Sequence, residues 1–468
     1  MRIFTTAVLG VFLAVSSVSA QGLSRVYTRP SVPPAEVLDR LNLKLDWRVY
    51  VPKEGVRDGF FSIQLLDGQV LVQTRSAGIA MLDATTGATL WRARVGTPYR
   101  VNQPLGYNAE TVFAVDGDRL YALGRTTGRL QWQMKLPSSA SAPPVADDAH
   151  VYLCLGPGKI YTYQLPDLGR AAQATADKKA MAESVPPPKP AAESTYRSGG
   201  GSLSSFGPLT ATRKIELEEE TGPRGLLIWE YPVGAGRLEQ APLLTDEFLT
   251  LAGTDGTFFT TSKFLNQILY SFKTEAPVSA GLGQYGETAY IVSQDFNVYA
   301  LNIVTGRILW RVLGGAPILR KPTVFDEDLY FSSESVGLYR LDRVTGQLLW
   351  HNRQADQFLA QNKKFVYATD FNGRLLILDR VRGTVLTSYD GTRDFTVPIA
   401  NELTDRIYLA SQDGLLMCLH DRDYPTPLRT RGTVEKKPEG KPVEKPKEGA
   451  EKKPAPKEKD KDADEKDK

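Results

Sequence analysis

The sequence predicts an all-β fold, an eight-bladed β-propeller of four-stranded antiparallel blades in which an N-terminal strand closes the last blade. Three observations carry this: a phrase that recurs about every forty residues, a column of tryptophans on the same period, and short apolar alternations broken by turn residues. Composition agrees, since 468 residues with 41% hydrophobic and 24% charged side chains are ample for a large core. A formal net charge of only +3 gives no electrostatic case for nucleic acid or an anionic membrane surface.

The phrase is MLDATTGATLW at 81–91, ALGRTTGRLQW at 122–132, ALNIVTGRILW at 300–310 and RLDRVTGQLLW at 340–350, with a degraded ILDRVRGTVLT at 377–387. TSKFLNQILY at 261–270 fits the same frame, with Asn266 in the glycine position and Tyr270 in the tryptophan position. All six tryptophans, Trp47, Trp91, Trp132, Trp229, Trp310 and Trp350, fall on one column, and Tyr270 fills the gap between Trp229 and Trp310. Trp132 and Trp229 stand a period and a long excess apart. That excess coincides with 168–224, rich in Pro, Ala, Lys, Gly and Ser, which is expected to be a disordered low-complexity insertion.

Within a period the pattern is that of four strands, the content of one propeller blade. In blade 5 these are expected near 278–283, at TAYIVS, at VYALNI and at RILWRVL. Strand sets at about 59–95, 101–136, 141–233, 238–273, 278–313, 318–353, 358–390 and 396–420 make eight blades, with seven as the alternative count. The last set holds only three strands. LDWRVYV at 45–51 carries Trp47 in the fourth-strand column without a blade of its own, so it is expected to complete the last blade and remove the open sheet edges.

The flanks follow from composition. Residues 1–20 place one Arg before an apolar run that ends in Val18-Ser19-Ala20, as in a secretory signal peptide, so export to the periplasm or the extracellular space is expected. Gln21 and Gly22 follow where a lipoprotein needs Cys, so no lipid anchor is expected, and no later apolar run is long enough for a transmembrane segment. An N-terminal extension spans 21–44, with a short helix after Pro33-Pro34; the propeller spans 45–424. The tail at 432–468 should be disordered, and with twelve Lys against eleven acids from 433 onward it is no basic arm. Cys154 and Cys418 fall on distant blades and are expected as two buried thiols rather than a disulfide.

The copied phrase reads as turn chemistry followed by an aromatic anchor. Gly87, Gly128, Gly306, Gly346 and Gly383 sit where a hairpin needs positive φ. Asp83, Asn302 and Asp342 can accept hydrogen bonds from turn amides three residues on, at Thr86, Thr305 and Thr345.

This repeat, L-D-x-x-T-G-x-x-x-W, resembles the tryptophan-docking repeat of the pyrroloquinoline quinone (PQQ) type β-propellers, over residues 45–420 apart from the insertion. That superfamily holds both quinoprotein alcohol dehydrogenases and the outer-membrane assembly propeller lipoprotein. The resemblance implies that the blade-docking residues Trp47, Trp91, Trp132, Trp229, Tyr270, Trp310 and Trp350 insert between neighbouring blades. For an enzyme it implies PQQ over Ca²⁺ held by Glu, Asn and Asp, with a catalytic Asp, often an adjacent-Cys disulfide and sometimes a haem segment. No adjacent Cys pair and no C-x-x-C-H occur here, and no residue maps onto the catalytic Asp. Catalytic and metal residues are therefore expected to be absent and the cofactor none, with PQQ and calcium as the alternative.

Other motifs carry less. The G-x-G-x-x-G at 281–286 falls on a strand and turn with no following helix. His150, His351 and His420 lack metal-ligand spacing, and Asp326, Glu327 and Asp328 read as a solvated turn. The function expected is that of a secreted or periplasmic, monomeric, non-catalytic scaffold or assembly factor with protein partners in the cell envelope. The alternative is a quinoprotein dehydrogenase acting on alcohols or sugars.

Overall fold

The computed structural model describes residues 30–166 and 226–432 apart from 102, 157, 233–235, 264–266 and 279. The expected signal peptide, the whole of the expected insertion at 168–224, Asn266 and the tail beyond 432 lie outside the described residues. Eight four-stranded antiparallel sheets follow one another, and seven are consecutive meanders: Phe60–Arg94, Gly106–Lys135, Val145–Pro232, Leu243–Lys273, Gly283–Leu313, Thr323–Asn352 and Ala355–Tyr389. We number these blades 1 to 7. Blade 8 combines Val397–Pro398, Ile407–Ala410 and Leu415–Asp421 with the N-terminal strand β1, Leu43–Tyr50. β1 runs antiparallel to Leu415–Asp421, from Leu43 opposite Asp421 to Tyr50 opposite Leu415.

Eight apolar clusters, one at each junction between neighbouring blades, close the ring. The first joins Trp47, Tyr408 and Leu416 of blade 8 to Val70, Val72 and Leu82 of blade 1. The last joins Tyr367 and Ile377 of blade 7 to Leu409 and Met417 of blade 8. Because each blade is covered on both faces, second and third strands such as HVYLCL and NVYALN are buried along most of their length instead of alternating. Fourth strands lie on the outer rim and do alternate. Inner strands converge on the axis, and most are two or three residues long. That of blade 5 is Gly283–Tyr285, displaced from the expected 278–283, and Val278 makes only an isolated bridge to Ser293. Gly283 fits this place because a Cβ there would press Val324 of blade 6 at 3.0 Å.

Every fourth strand carries a β-bulge one residue before the aromatic column, at Leu90, Gln131, Leu269, Leu309, Leu349 and Leu386 among others. A bulge re-aims the next side chain, and here it turns the aromatic toward the next blade. Trp47 donates its indole N–H to Ala84 O at 2.9 Å, Trp91 to Arg125 O at 2.7 Å, Trp310 to Arg343 O at 3.1 Å and Trp350 to Arg380 O at 2.8 Å. Tyr270 makes the equivalent bond through its hydroxyl, to Ile303 O at 2.5 Å. Each ring lies on the glycine of the next blade's turn: Trp47 on Gly87, Trp91 on Gly128, Tyr270 on Gly306, Trp310 on Gly346 and Trp350 on Gly383. These glycines have φ between 67° and 73°, and a Cβ on Gly346 would sit 2.6 Å from the Trp310 ring. Trp132 is buried against Phe113. Trp229 holds the same column opposite Thr162.

Blade 7 alone places no aromatic in the column; Thr387 stands there. Its neighbour, blade 8, has no continuous third-to-fourth turn to receive one, because its third strand, Leu415–Asp421, and its fourth, Leu43–Tyr50, are not consecutive in sequence. The helix α1, Ala35–Arg40, covers the place instead, with Leu38 buried in the cluster between blades 7 and 8. Both cysteines are free and buried; burial raises the Cys154 thiol to about 12.

Trp310→Ala should cost about 3 kcal/mol of unfolding free energy, and Gly346→Ala at least about 2 kcal/mol from φ strain plus displacement of the same ring. Denaturant unfolding checks both, and an unchanged midpoint for either would refute the docking account. Hydrogen bonds from the backbone and hydroxyl of Thr345 hold the Asp342 carboxyl below its ordinary value, and the Thr85 hydroxyl does so first for Asp83. A depressed carboxylate stabilises fully above its unfolded value near 3.8 and loses that contribution as pH falls through the folded value. Asn302 builds the same turn uncharged, accepting from Thr305 N at 2.7 Å and Thr305 Oγ1 at 2.9 Å. The double variant Asp83→Asn, Asp342→Asn should therefore melt like the parent at neutral pH and lose less stability below about pH 4.

Candidate functional site

The antiparallel meander sorts the loops onto two faces. Turns between first and second strands and between third and fourth strands lie on one, the upper face. Second-to-third hairpins and blade-to-blade connections lie on the other, the lower face. The five blade-docking turns at Gly87, Gly128, Gly306, Gly346 and Gly383 are thus on the upper face. So are α1 and the two points, Gln164 and Leu226, between which the chain leaves the described residues.

The chain also crosses this face itself. After Asp421 the segment 422–432 runs as a strap from blade 8. Leu428 N donates to Asp405 at 2.9 Å, and Thr404 bridges Arg429. Arg429 reaches both carboxylate oxygens of Asp67 in blade 1 at 3.0 Å. Arg431 pairs with Glu402 at 3.2 Å, donates to Gln284 O of blade 5 at 2.5 Å and lies 5.5 Å over the Tyr285 ring. Gly432 N donates to Asp326 of blade 6 at 2.9 Å. Blades 1 and 5 are opposite in an eight-membered ring, so the strap spans the central opening, and Arg431 is its cross-bar. Lys321 adds to this, 3.5 Å from the other Glu402 oxygen. Partial desolvation raises the Tyr107 phenol of blade 2, a residue still 40% exposed, with Arg125 and Arg431 opposing and Glu402 reinforcing, which puts that ring within the same electrostatic neighbourhood.

Two clefts flank the strap. One of about 400 Å³ lies between blades 8 and 1, walled by Asp67, Thr85, Tyr408, Pro425 and Arg429. The other, about 240 Å³, lies between blades 6 and 7 and includes Glu327, Lys363, Arg380 and Thr430. Among the described residues no three His, Cys, Asp or Glu side chains gather as a metal site.

With the ring, its docking turns and its strap in place, the chain can be set beside known proteins. The family described as outer membrane protein assembly factor BamB matches residues 44–196 and 227–423. The chain belongs to this family. The BamB of Moraxella catarrhalis is similar in structure at a TM-score of 0.55, with 15% identity over 81% of this chain and 97% of that one. The computationally designed Ika8 protein is similar at a TM-score of 0.55, with 14% identity over 79% of this chain and 98% of that one. At such identities these structures speak to the fold. No curated protein matches the sequence.

Within this BamB-family ring the residues singled out from sequence take definite places. His420 is buried with Nδ1 2.6 Å from Asp46, and Arg406 Nε lies 3.1 Å from the same carboxylate, so a largely buried polar cluster joins β1 to the other strands of blade 8. Asp46 is the bulge residue of β1, the position held by an exposed Leu in blades 1, 4, 5, 6 and 7. His351 Nε2 contacts Val336 O at 3.1 Å and stacks on Tyr339, and His150 sits 3.6 Å from Asp147. One expectation is corrected. The 326–328 cluster is not a solvated turn throughout, since Asp328 is buried with Arg340 at 2.7 Å and Arg380 at 2.8 Å and ties blade 6 to blade 7. Asp326 is held by Tyr285 and Gly432, and only Glu327 is largely exposed. The strap itself escaped sequence reading, because its signal is a few polar residues after the last strand.

Arg431→Ala should free residues 427–432 while leaving the ring intact. Hydrogen–deuterium exchange is expected to speed at the Thr430 and Gly432 amides and to stay unchanged in Tyr408–Ala410. Unchanged exchange at Gly432 would mean that the cross-bar contributes nothing to strap closure.

Proposed function

We propose that this chain is an exported, non-catalytic scaffold of the cell envelope that binds other proteins through its loops during outer-membrane protein assembly. The observation that carries the reading is the strapped upper face. Where a propeller enzyme needs an open mouth for a cofactor, this chain lays Arg431 and Glu402 across its own axis. Membership of a family described as an assembly factor supports the same reading, as does a rigid ring that holds eight sets of loops in fixed relation. Export through the N-terminal leader, a monomeric state and tethering of partners by the charged tail belong to this proposal. The aromatic column and the turn glycines serve the ring and not a ligand.

Two measurements test it. Titrating the purified chain with PQQ and Ca²⁺ should give no saturable heat and no dye reduction with alcohols or sugars; tight binding with turnover would overturn the scaffold reading in favour of a quinoprotein dehydrogenase. Removing the gene product from its host should lower the amount of folded β-barrel protein in the outer membrane; unchanged levels would refute the assembly role.

A further inference from the structure

The lower face carries a feature that ring closure does not need. Asp58 is buried, in the connection from β1 to blade 1. It accepts from Glu54 N at 2.7 Å, Gly59 N at 2.9 Å, Ser76 N at 2.9 Å and Ser76 Oγ at 2.7 Å. This clamp pins the connection to the 74–78 hairpin and holds out its tip, where Val56 is 91% exposed. The next connection packs alongside. Tyr99 sits at φ 64°, its amide bonded to Arg75 O at 2.7 Å and its hydroxyl to Glu54 O at 3.0 Å, with its ring 55% exposed. A non-glycine residue at positive φ is strained, and such strain collects at binding sites.

The charges here are one-sided. Glu54 is engaged by Arg94 at 2.6 Å, Asp58 is spent in the clamp, and Asp116 accepts from Thr97 N at 2.7 Å. The exposed guanidinium groups of Arg57, Arg75 and Arg100 have no hydrogen bond or ion pair among the described residues. We propose that this Asp58-clamped surface, with Val56 and Tyr99 beside Arg57, Arg75 and Arg100, docks an acidic segment of a partner protein. Guanidinium forks match carboxylates bidentately, and an aliphatic and an aromatic anchor beside them suit side chains flanking those carboxylates. A lipid surface fits less well, since a net charge of +3 gives little long-range pull toward an anionic bilayer and one aliphatic side chain inserts little apolar area.

The proposal deepens the scaffold reading and rests on it, and the test separates the two. A photo-cross-linker replaces Val56 in the full chain in cells, with Leu309 on the rim and Val381 on the upper face as comparison sites. An adduct is expected at Val56, its mapped partner segment rich in Asp and Glu, and reduced about tenfold by Arg57→Glu, Arg75→Glu, Arg100→Glu in combination. Because these arginines lack partners, the triple variant should melt like the parent. Adducts only at Leu309 or Val381 would overturn the docking surface and leave the scaffold reading standing, whereas no adduct at any position would count against the scaffold reading itself. A neutral or basic partner segment, or an adduct unaffected by the triple variant, also overturns the proposal. So would charge-dependent binding of the purified chain to phosphatidylglycerol vesicles at this surface with no protein adduct at Val56.

Discussion

An aromatic ring laid on the bare backbone of a neighbouring turn is the contact on which the rest of this molecule depends. The glycine supplies positive φ and the absence of a Cβ, the bulge one residue upstream aims the ring, and the indole N–H satisfies a turn carbonyl that docking would otherwise leave buried and unpaired. Each component answers a different physical demand. Together they set the distance between blades, and the eight apolar clusters fill the space that this distance defines.

A closed ring built this way has one seam, where the first and last described strands pair. The seam lacks the docking pair, since Thr387 faces a blade with no continuous upper turn. Other interactions take over there: α1 buries Leu38, Asn362 and Tyr367 donate to Asp421 at 2.9 Å, and Asp46 meets His420 and Arg406. Asp46 occupies a bulge position that is apolar and exposed in most other blades. A charge belongs there because the C-terminal strands bring the Arg406 guanidinium against it. The seam therefore uses polar specificity where the other junctions use shape.

The two faces of the ring then acquire different characters. The upper face receives both chain ends of the seam and the strap, so its centre is occupied by the chain's own side chains. The lower face keeps short hairpins, and near blade 1 it holds out arginines whose local acids are already engaged.

Much of this was legible in the residues. The forty-residue period, the tryptophan column with Tyr270 in it, and the orphan strand around Trp47 determine blade number and closure, because they record contacts repeated between identical neighbours. Asp328 was misread as solvated, since a local acidic run looks the same whether its partners are water or Arg340 and Arg380 from strands downstream. The strap and the arginine surface were invisible for a related reason. Arg431 meets Glu402 and Gln284 only after the ring has closed and brought distant blades together, and Arg57, Arg75 and Arg100 are left unpaired only because the nearby acids are engaged in the folded loops. By itself the sequence determined the repeat and the docking chemistry, which act between adjacent copies of one pattern. Which side chains cross the axis and which are left unpaired was decided by tertiary structure alone, because those relations join positions that no period links.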